Sequence, residues 1–246
     1  MKKTLTILSF LTITFFSLHV KAQDKDIIEP VRSYLTLLGG ISSPLGNFAS
    51  ANYYNNNAGF AKKGPVFGFD GAIYVYKSLG IGYTLTYQDQ GELSIADGQN
   101  IANGYTADFQ KDLTTITTVD RYINLNFLVG PQYSYTYHKF ILDARASVGV
   151  IKSISTPSFG IDFDNSTNTS QVINQFSSSA LAFAYSGSIG LRWSFSDDWD
   201  LGIKTNYVDC SGIKIVYNND PGTVGRFQTK QPITVLQTTL GMTLRF

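Results

Sequence analysis

Eight stretches of this chain alternate large apolar residues with small or polar ones at every second position, and that period constrains the fold more than any other feature. Between Leu79 and Gln88, Leu79, Ile81, Tyr83, Leu85 and Tyr87 fall on one face, and Gly80, Gly82, Thr84, Thr86 and Gln88 on the other. From Leu181 to Phe195 the large set is Leu181, Phe183, Tyr185, Ile189, Leu191, Trp193 and Phe195, against Ala182, Ala184, Ser186, Ser188, Gly190, Arg192 and Ser194. The last stretch, Pro232 to Phe246, sets Leu236, Thr238, Leu240, Met242, Leu244 and Phe246 opposite Gln237, Thr239, Gly241, Thr243 and Arg245. A period of two belongs to a strand. After the amino-terminal segment there is no run of about 18 apolar residues, so if the chain crosses a membrane it does so with strands.

The alternating stretches lie at about Tyr34 to Ser42, Pro65 to Tyr76, Leu79 to Gln88, Thr115 to Tyr137, Phe140 to Ser155, Ala180 to Phe195, Trp199 to Cys210 and Pro232 to Phe246. Short and long connections between them strictly alternate. Lys77-Ser78, His138-Lys139 and Ser196-Asp197-Asp198 are tight turns, whereas Gly46 to Gly64, Asp89 to Thr114, Thr156 to Ser179 and Ser211 to Gln231 are long, polar and rich in Asn, Ser, Gly and Asp. The pattern predicts an all-β, transmembrane, antiparallel up-and-down β-barrel of about eight strands over residues 34–246. Its tight turns and both termini would be periplasmic and its four long loops extracellular.

A soluble barrel of lipocalin type would show the same periodicity turned inside out. The charges argue against that inversion. Asp70, Asp143, Arg145, Arg192, Asp200, Lys204 and Arg245 all fall on the small-residue face. Eight strands leave an interior just wide enough for side chains to fill, so these four cations and three anions are expected to form a paired network that plugs the lumen. A narrow conduit in which ion pairs swap partners is the alternative. The aromatics form two predicted girdles: Tyr76, Tyr135, Tyr137, Phe140, Phe195, Trp199 and Phe246 beside the tight turns, and Tyr87, Tyr185 and Tyr207 one membrane away. Ten steps separate Tyr185 from Phe195, which at ~3.3 Å each and a tilt of ~40° project to about 25 Å, the height of an apolar band.

At the amino terminus Lys2 and Lys3 precede an apolar run from Leu5 to Leu18, and Val20-Lys21-Ala22 fits a cleavage site, so residues 1–22 read as a signal peptide. A membrane anchor is the competing reading, but the run is short of the ~20 residues a spanning helix needs. Residues 23–33 would be a short periplasmic segment, too short to fold alone. Gln23 rather than a cysteine stands directly after the cleavage site, which argues against a lipoprotein anchor, and the single Cys210 has no intramolecular partner. Without Lys2, Lys3 and Lys21 the chain carries 16 basic against 18 acidic residues, a balance that gives no reason to expect a nucleic-acid partner. Its 22 Gly, 15 Tyr and 17 Phe, with 15% charged residues, are strand material.

The signal segment, the stretch Gly39-Gly40-Ile41-Ser42-Ser43-Pro44-Leu45-Gly46-Asn47-Phe48 with the later Gly59-Phe60-Ala61-Lys62-Lys63-Gly64, and the ending Leu244-Arg245-Phe246 together resemble the porin-like outer-membrane β-barrel domain family, small eight-stranded barrels akin to OmpA and OmpX. The resemblance covers nearly all of the chain after the signal segment. It implies insertion by the barrel-assembly machinery, with terminal Phe246 as the assembly signal, and contact with outer-membrane lipids and lipopolysaccharide. A fold-defined family implies location more securely than activity.

No enzyme is expected. After residue 22 the only histidine is His138, in a tight turn, so no Ser-His-acid set assembles at the outer rim. No His/Cys cluster offers a metal site and no cofactor is expected. The carboxylates of Asp89 to Asp97 and Asp162 to Asp164 could chelate calcium weakly, but they lack the dense Asp/Gly spacing of a dedicated calcium loop and read first as solvated, and Asn165-Ser166-Thr167 is a glycosylation sequon with little meaning in a bacterial envelope. The expected function lies in the long loops, where Tyr53, Tyr54, Tyr105, Phe109, Phe159, Phe163, Tyr217 and Phe227 sit among Asn and Ser and would either form a binding surface or pack the loops on the rim. Lys62, Lys63 and Lys152 would meet lipopolysaccharide phosphates. The chain then reads as a structural or surface-binding barrel; the other open reading is an accessory subunit of an envelope secretion or uptake complex.

Overall fold

The computed structural model describes residues 31–109, 113–163, 171–217 and 230–246. The expected signal peptide, 1–22, and most of the segment after it lie outside that range. Strands β1 (Tyr34–Pro44), β2 (Gly64–Tyr76), β3 (Leu79–Glu92), β5 (Arg121–Tyr137), β6 (Phe140–Ser155), β9 (Leu181–Ser194), β10 (Trp199–Lys214) and β12 (Lys230–Arg245) form a closed barrel, each antiparallel to its neighbours. The ring closes where β1 pairs with β12, from Tyr34 opposite Arg245 to Pro44 opposite Val235. Closure leaves no barrel edge with unpaired backbone groups, which a hydrocarbon surrounding would penalise by several kcal/mol each. No helix among the described residues is long and apolar enough to cross a membrane.

The period-two alternation sets the barrel's polarity. Leu37, Phe69, Ile81, Phe127, Leu142, Ile189, Leu201 and Leu240 point outward and are exposed, while their strand neighbours point inward. A water-soluble barrel turns its large apolar residues inward, so the lipocalin-like inversion is excluded. The predicted girdle aromatics are all outward and exposed: Tyr76, Tyr135, Tyr137, Phe140, Phe195, Trp199 and Phe246 at the tight-turn end, Tyr87, Tyr185 and Tyr207 toward the other. Phe67 and Phe183 join that second level.

The loops differ from expectation. Their described residues form a folded cap, built from α1 (Gly46–Ala49), α2 (Ile95–Phe109) and a second sheet in the order β11-β8-β7-β4, where β4 is Leu113–Val119, β7 Ser158–Phe163, β8 Gln171–Phe176 and β11 Val216–Tyr217. The stretch Thr115 to Tyr137, read as one strand, breaks at Asp120. There φ is +64°, a left-handed turn that redirects the chain, and Ser158 Oγ donates to Asp120 Oδ2 at 2.8 Å. Strand β4 then pairs with β7 just as β5 pairs with β6, so the cap sheet continues one wall of the barrel beyond the apolar band.

Helix α2 has a local cause that the sequence reading missed. Ser94 and Asp97 form a capping box: Asp97 N–H donates to Ser94 Oγ at 3.2 Å, and Ser94 N–H donates back to Asp97 Oδ2 at 2.9 Å. Its apolar face, Ile101, Ala102 and Tyr105, is buried. Two glycines inside the helix hid it, and one is there for packing: a Cβ on Gly104 would lie 2.2 Å from the Tyr53 ring.

Candidate functional site

The seven inward charges meet in one network near the tight-turn end of the lumen. Asp70, on β2, is its hub: it accepts from Arg145 Nη1 at 2.8 Å, Lys204 Nζ at 2.6 Å and Thr84 Oγ1 at 2.6 Å. Arg145, on β6, also donates through Nε to Gln132 Oε1 at 2.8 Å and through Nη2 to the Gly71 carbonyl at 3.0 Å. Arg192 grips Asp143 with two donors, Nε at 2.7 Å and Nη2 at 3.1 Å, and reaches Asp200 with Nη1 at 2.9 Å. Gln132 Nε2 donates to Asp143 Oδ1 at 3.3 Å, joining the two halves. Arg245 Nε lies 3.0 Å from Asp200 Oδ1, a charge contact too far out of line to be a hydrogen bond. Charges buried this deeply persist only when paired and hydrogen-bonded.

Tyr34 belongs to the site and was missed. Its hydroxyl contacts Asp70 at 3.2 Å, and the Arg192 guanidinium lies 3.9 Å above its ring, a cation–π contact. The signal was available: Tyr74 shares the parity of Asp70 and Tyr34 that of Thr36 and Gly40, so both rings fall on the inward face. Tyr74 and Ser134 hydrogen-bond each other, and Ser134 donates to Asp143. The cavity left within the charge layer offers water-sized molecules about 30 Å³ for their centres, room for one or two waters.

Arginine at this density requires glycine opposite. A Cβ on Gly82 would sit 2.1 Å from Arg145 Nε, and that guanidinium is held on every side. Gly82→Ala is expected to destabilise the barrel by about 1–3 kcal/mol, measured as a lower urea midpoint. Gly187→Ala, whose Cβ would meet nothing within 4 Å, serves as the unchanged control.

Beyond the charges the interior divides, so the paired network expected to plug the lumen is one layer of its filling. One wall carries amides: Gln88 Oε1 accepts from Gln237 Nε2 at 2.7 Å and from Asn126 Nδ2 at 3.3 Å. The other is apolar, with Ile151, Ala182, Ala184, Val208, Cys210, Ile233 and Val235 buried together. Phe48 of α1 closes this layer, fully buried and edge-on to Tyr122 at 5.0 Å. Apolar side chains at the loop end seal against water without the desolvation cost that further charges would bring.

The cap has its own core of Tyr53, Ala58, Phe60, Leu93, Ile101, Tyr105, Phe159 and Ile161. Most of the described loop aromatics considered for a binding surface are therefore spent inside: Tyr53, Tyr105 and Phe159 are buried, with Phe109 packed against them, and Tyr54 alone of the described set is exposed. Phe227, Asp164 and Asn165-Ser166-Thr167 lie outside the described residues, as do the side chains of Phe163 and Tyr217. Lys62 is committed as well, 2.7 Å from Asp97. Burial works against the charge on Asp97, but the hydrogen bonds from Lys62 and Ser94 outweigh it and hold the carboxyl below its ordinary range. Asp89 is occupied by Arg121 at 3.3 Å, and no group of three potential metal ligands occurs among the described residues. On the outer face of the cap sheet, Val119 and Phe176 are exposed beside a trough floored by Gly160, between Thr117 and Asn174.

No protein-family model matches the chain, and no curated protein matches its sequence. Among solved structures it is similar to Neisserial surface protein A (NspA), at 9% identity over 87% of this chain and 97% of that one, TM-score 0.44. It is also similar to Ail, the attachment invasion locus protein of Yersinia pestis, at 11% identity over 89% and 100%, TM-score 0.41. A third is the outer membrane protease OmpT from Escherichia coli, at 8% identity over 88% and 97%, TM-score 0.39. The architecture rests on the chain's own topology: with a closed antiparallel ring, an apolar outside and a charged inside, it is an eight-stranded outer-membrane-type β-barrel.

Proposed function

We propose that the protein is an integral outer-membrane barrel, exported by a cleaved signal over residues 1–22, with a short periplasmic lead at 23–33 and a barrel over 34–246. It works as a closed anchor for its folded cap, in a structural or surface-binding role rather than as a conduit or an enzyme. The observation that carries this is closure at two levels, ion pairs toward one end and the Phe48 apolar layer toward the other. In planar bilayers the purified chain is expected to show no steady open conductance. A large, lasting open state would overturn the anchor reading in favour of a porin-like path.

Phe246 supports a role for the terminus in assembly: its ring is exposed at the end of β12, and its N–H donates to the Ser33 carbonyl at 2.9 Å, beside the closing seam. With Lys62 engaged, Lys63 and Lys152 are the rim cations left from the original three for lipopolysaccharide phosphates, and charge reversal at both tests that contact. The trough beside Val119 and Phe176 favours a second reading, an accessory subunit that docks an envelope partner on the cap. Co-purification in mild detergent at fixed stoichiometry would support it; a lone barrel would not.

A further inference from the structure

At the end opposite the cap, the axial mouth of the barrel is a vestibule. Thr136, His138 and Lys139 border it from the β5–β6 hairpin, Asp197 from the β9–β10 turn, Arg32 from the segment ahead of β1, and Arg245 from β12. It offers the centres of water-sized molecules about 290 Å³, against about 30 Å³ in the lumen cavity. The vestibule is therefore large enough for a small solute, whereas the layer beneath admits little more than water. Arg245 stands between the two, reaching Asp200 on one side and donating through Nη2 to the Ser196 carbonyl at 2.6 Å on the other.

The donors around this mouth are unequally used. Arg32 is spent: it donates to Asp198 Oδ1 at 2.9 Å, to the Asp197 carbonyl at 2.8 Å and to the Arg245 carbonyl at 3.2 Å. That clasp ties the segment ahead of β1 to the β9–β10 turn and to the end of β12. The Lys139 ammonium and Arg245 Nη1 make no hydrogen bond among the described residues, and His138 meets only the edge of Tyr137, at 4.3 Å between ring centres. His138 has φ +52°, so the tight turn holds both it and Lys139 at the rim. Asp197 is the sole carboxylate on the lining. Arg32 is matched by Asp198 and Arg245 by Asp200, so what the wall offers is the unpaired Lys139 ammonium with the unused N–H donors of Arg245 and His138 on a concave surface, an arrangement that suits a small group with many lone pairs and negative charge.

We propose that this vestibule binds an oxyanion, a phosphate or a carboxylate, from the aqueous side away from the cap. The proposal goes beyond the anchor role and does not depend on it, because the site lies outside the closed lumen. Lys139 supplies the principal charge, Arg245 a donor from below and His138 a donor from the rim.

The test uses the full chain purified in detergent with ring-labelled histidine, the His138 signal being assigned by its loss in His138→Gln. Inorganic phosphate and N-acetylglycine are titrated separately, with chloride at equal ionic strength as the control. The expected result is a saturable shift of the His138 ring signals with phosphate or N-acetylglycine and none with chloride. Lys139→Gln should weaken the apparent affinity about three- to fivefold, while Lys77→Gln, which removes the same charge from the β2–β3 turn on the same rim, should leave it unchanged. A response to phosphate alone identifies a phosphoryl ligand, and a response to N-acetylglycine alone a peptide carboxylate. The absence of a saturable shift, or equal losses in the two lysine variants, overturns the site and leaves a diffuse positive surface. Both lysines are exposed turn residues, and anomalous gel migration without boiling confirms that each variant is folded.

Discussion

Asp70→Ala is expected to cost the folded barrel about 3–5 kcal/mol, because it removes the counter-charge of two buried cations at once. Arg145 and Lys204 both point at this carboxylate, from β6 and β10, and neither has another carboxylate within ion-pair distance among the described residues. Arg145 keeps Gln132 and the Gly71 carbonyl, so it stays partly solvated by the protein. Lys204 keeps only the long contact to Thr84 at 3.4 Å. Its ammonium, with a side chain 17% exposed, would have to draw in water or leave the lumen. The readout is the urea midpoint of barrel refolded into vesicles. Asp70→Ala combined with Lys204→Met should recover part of the loss, since contacting residues are not additive. A single-variant loss under about 1 kcal/mol would mean that water already screens this layer and that the ion pairs do not close the lumen.

Phe48→Ala is expected to produce a loss of similar size, about 3–5 kcal/mol, but in a different place. The ring lies over the apolar layer, against Tyr122, and Gly59 approaches so closely that a Cβ there would be 2.6 Å from it. The main chain around it is fastened by Gly59 N–H to the Asn47 carbonyl at 2.9 Å and Ala61 N–H to the Phe48 carbonyl at 3.0 Å. Without the ring these bonds hold a turn with nothing beneath it. The cap should open locally while the barrel stays closed by its own ladder. Limited proteolysis would then cut the variant's cap far faster than the wild type's, while both still migrate anomalously unboiled. Bilayer conductance should remain absent, because the charge layer is intact below. Equal proteolytic protection of the two caps would show that Phe48 does not seal the loop end.

What is legible in the sequence and what is not divides by range. Leu79, Ile81, Tyr83 and Leu85 reveal a strand on their own, because a side chain's face depends only on its parity along the strand. The same parity places Asp70, Asp143, Arg145, Arg192, Asp200, Lys204 and Arg245 on one side. Alternating short and long connections then order the strands into an up-and-down ring. The box from Ser94 to Asp97 is equally local yet goes unseen, because Gly98 and Gly104 argue against a helix unless Tyr53 is known to lie on one of them.

Composition alone could not tell a loop surface from a loop core. Tyr53, Tyr105 and Phe159 would suit either, and they became a core because the sheet of β4, β7, β8 and β11 rises beside α2 and gives them something to pack against. By itself the sequence determined the eight barrel strands, their faces and the confinement of charge to the inside, all of which follow from chemistry repeated every second residue. Only the tertiary structure decided that Asp70 answers both Arg145 and Lys204, that Arg32 clasps the seam, and that Phe48 rather than another charge closes the loop end. Those partners stand tens to more than a hundred residues apart in the chain, and they meet because closing the ring brings facing walls within side-chain reach.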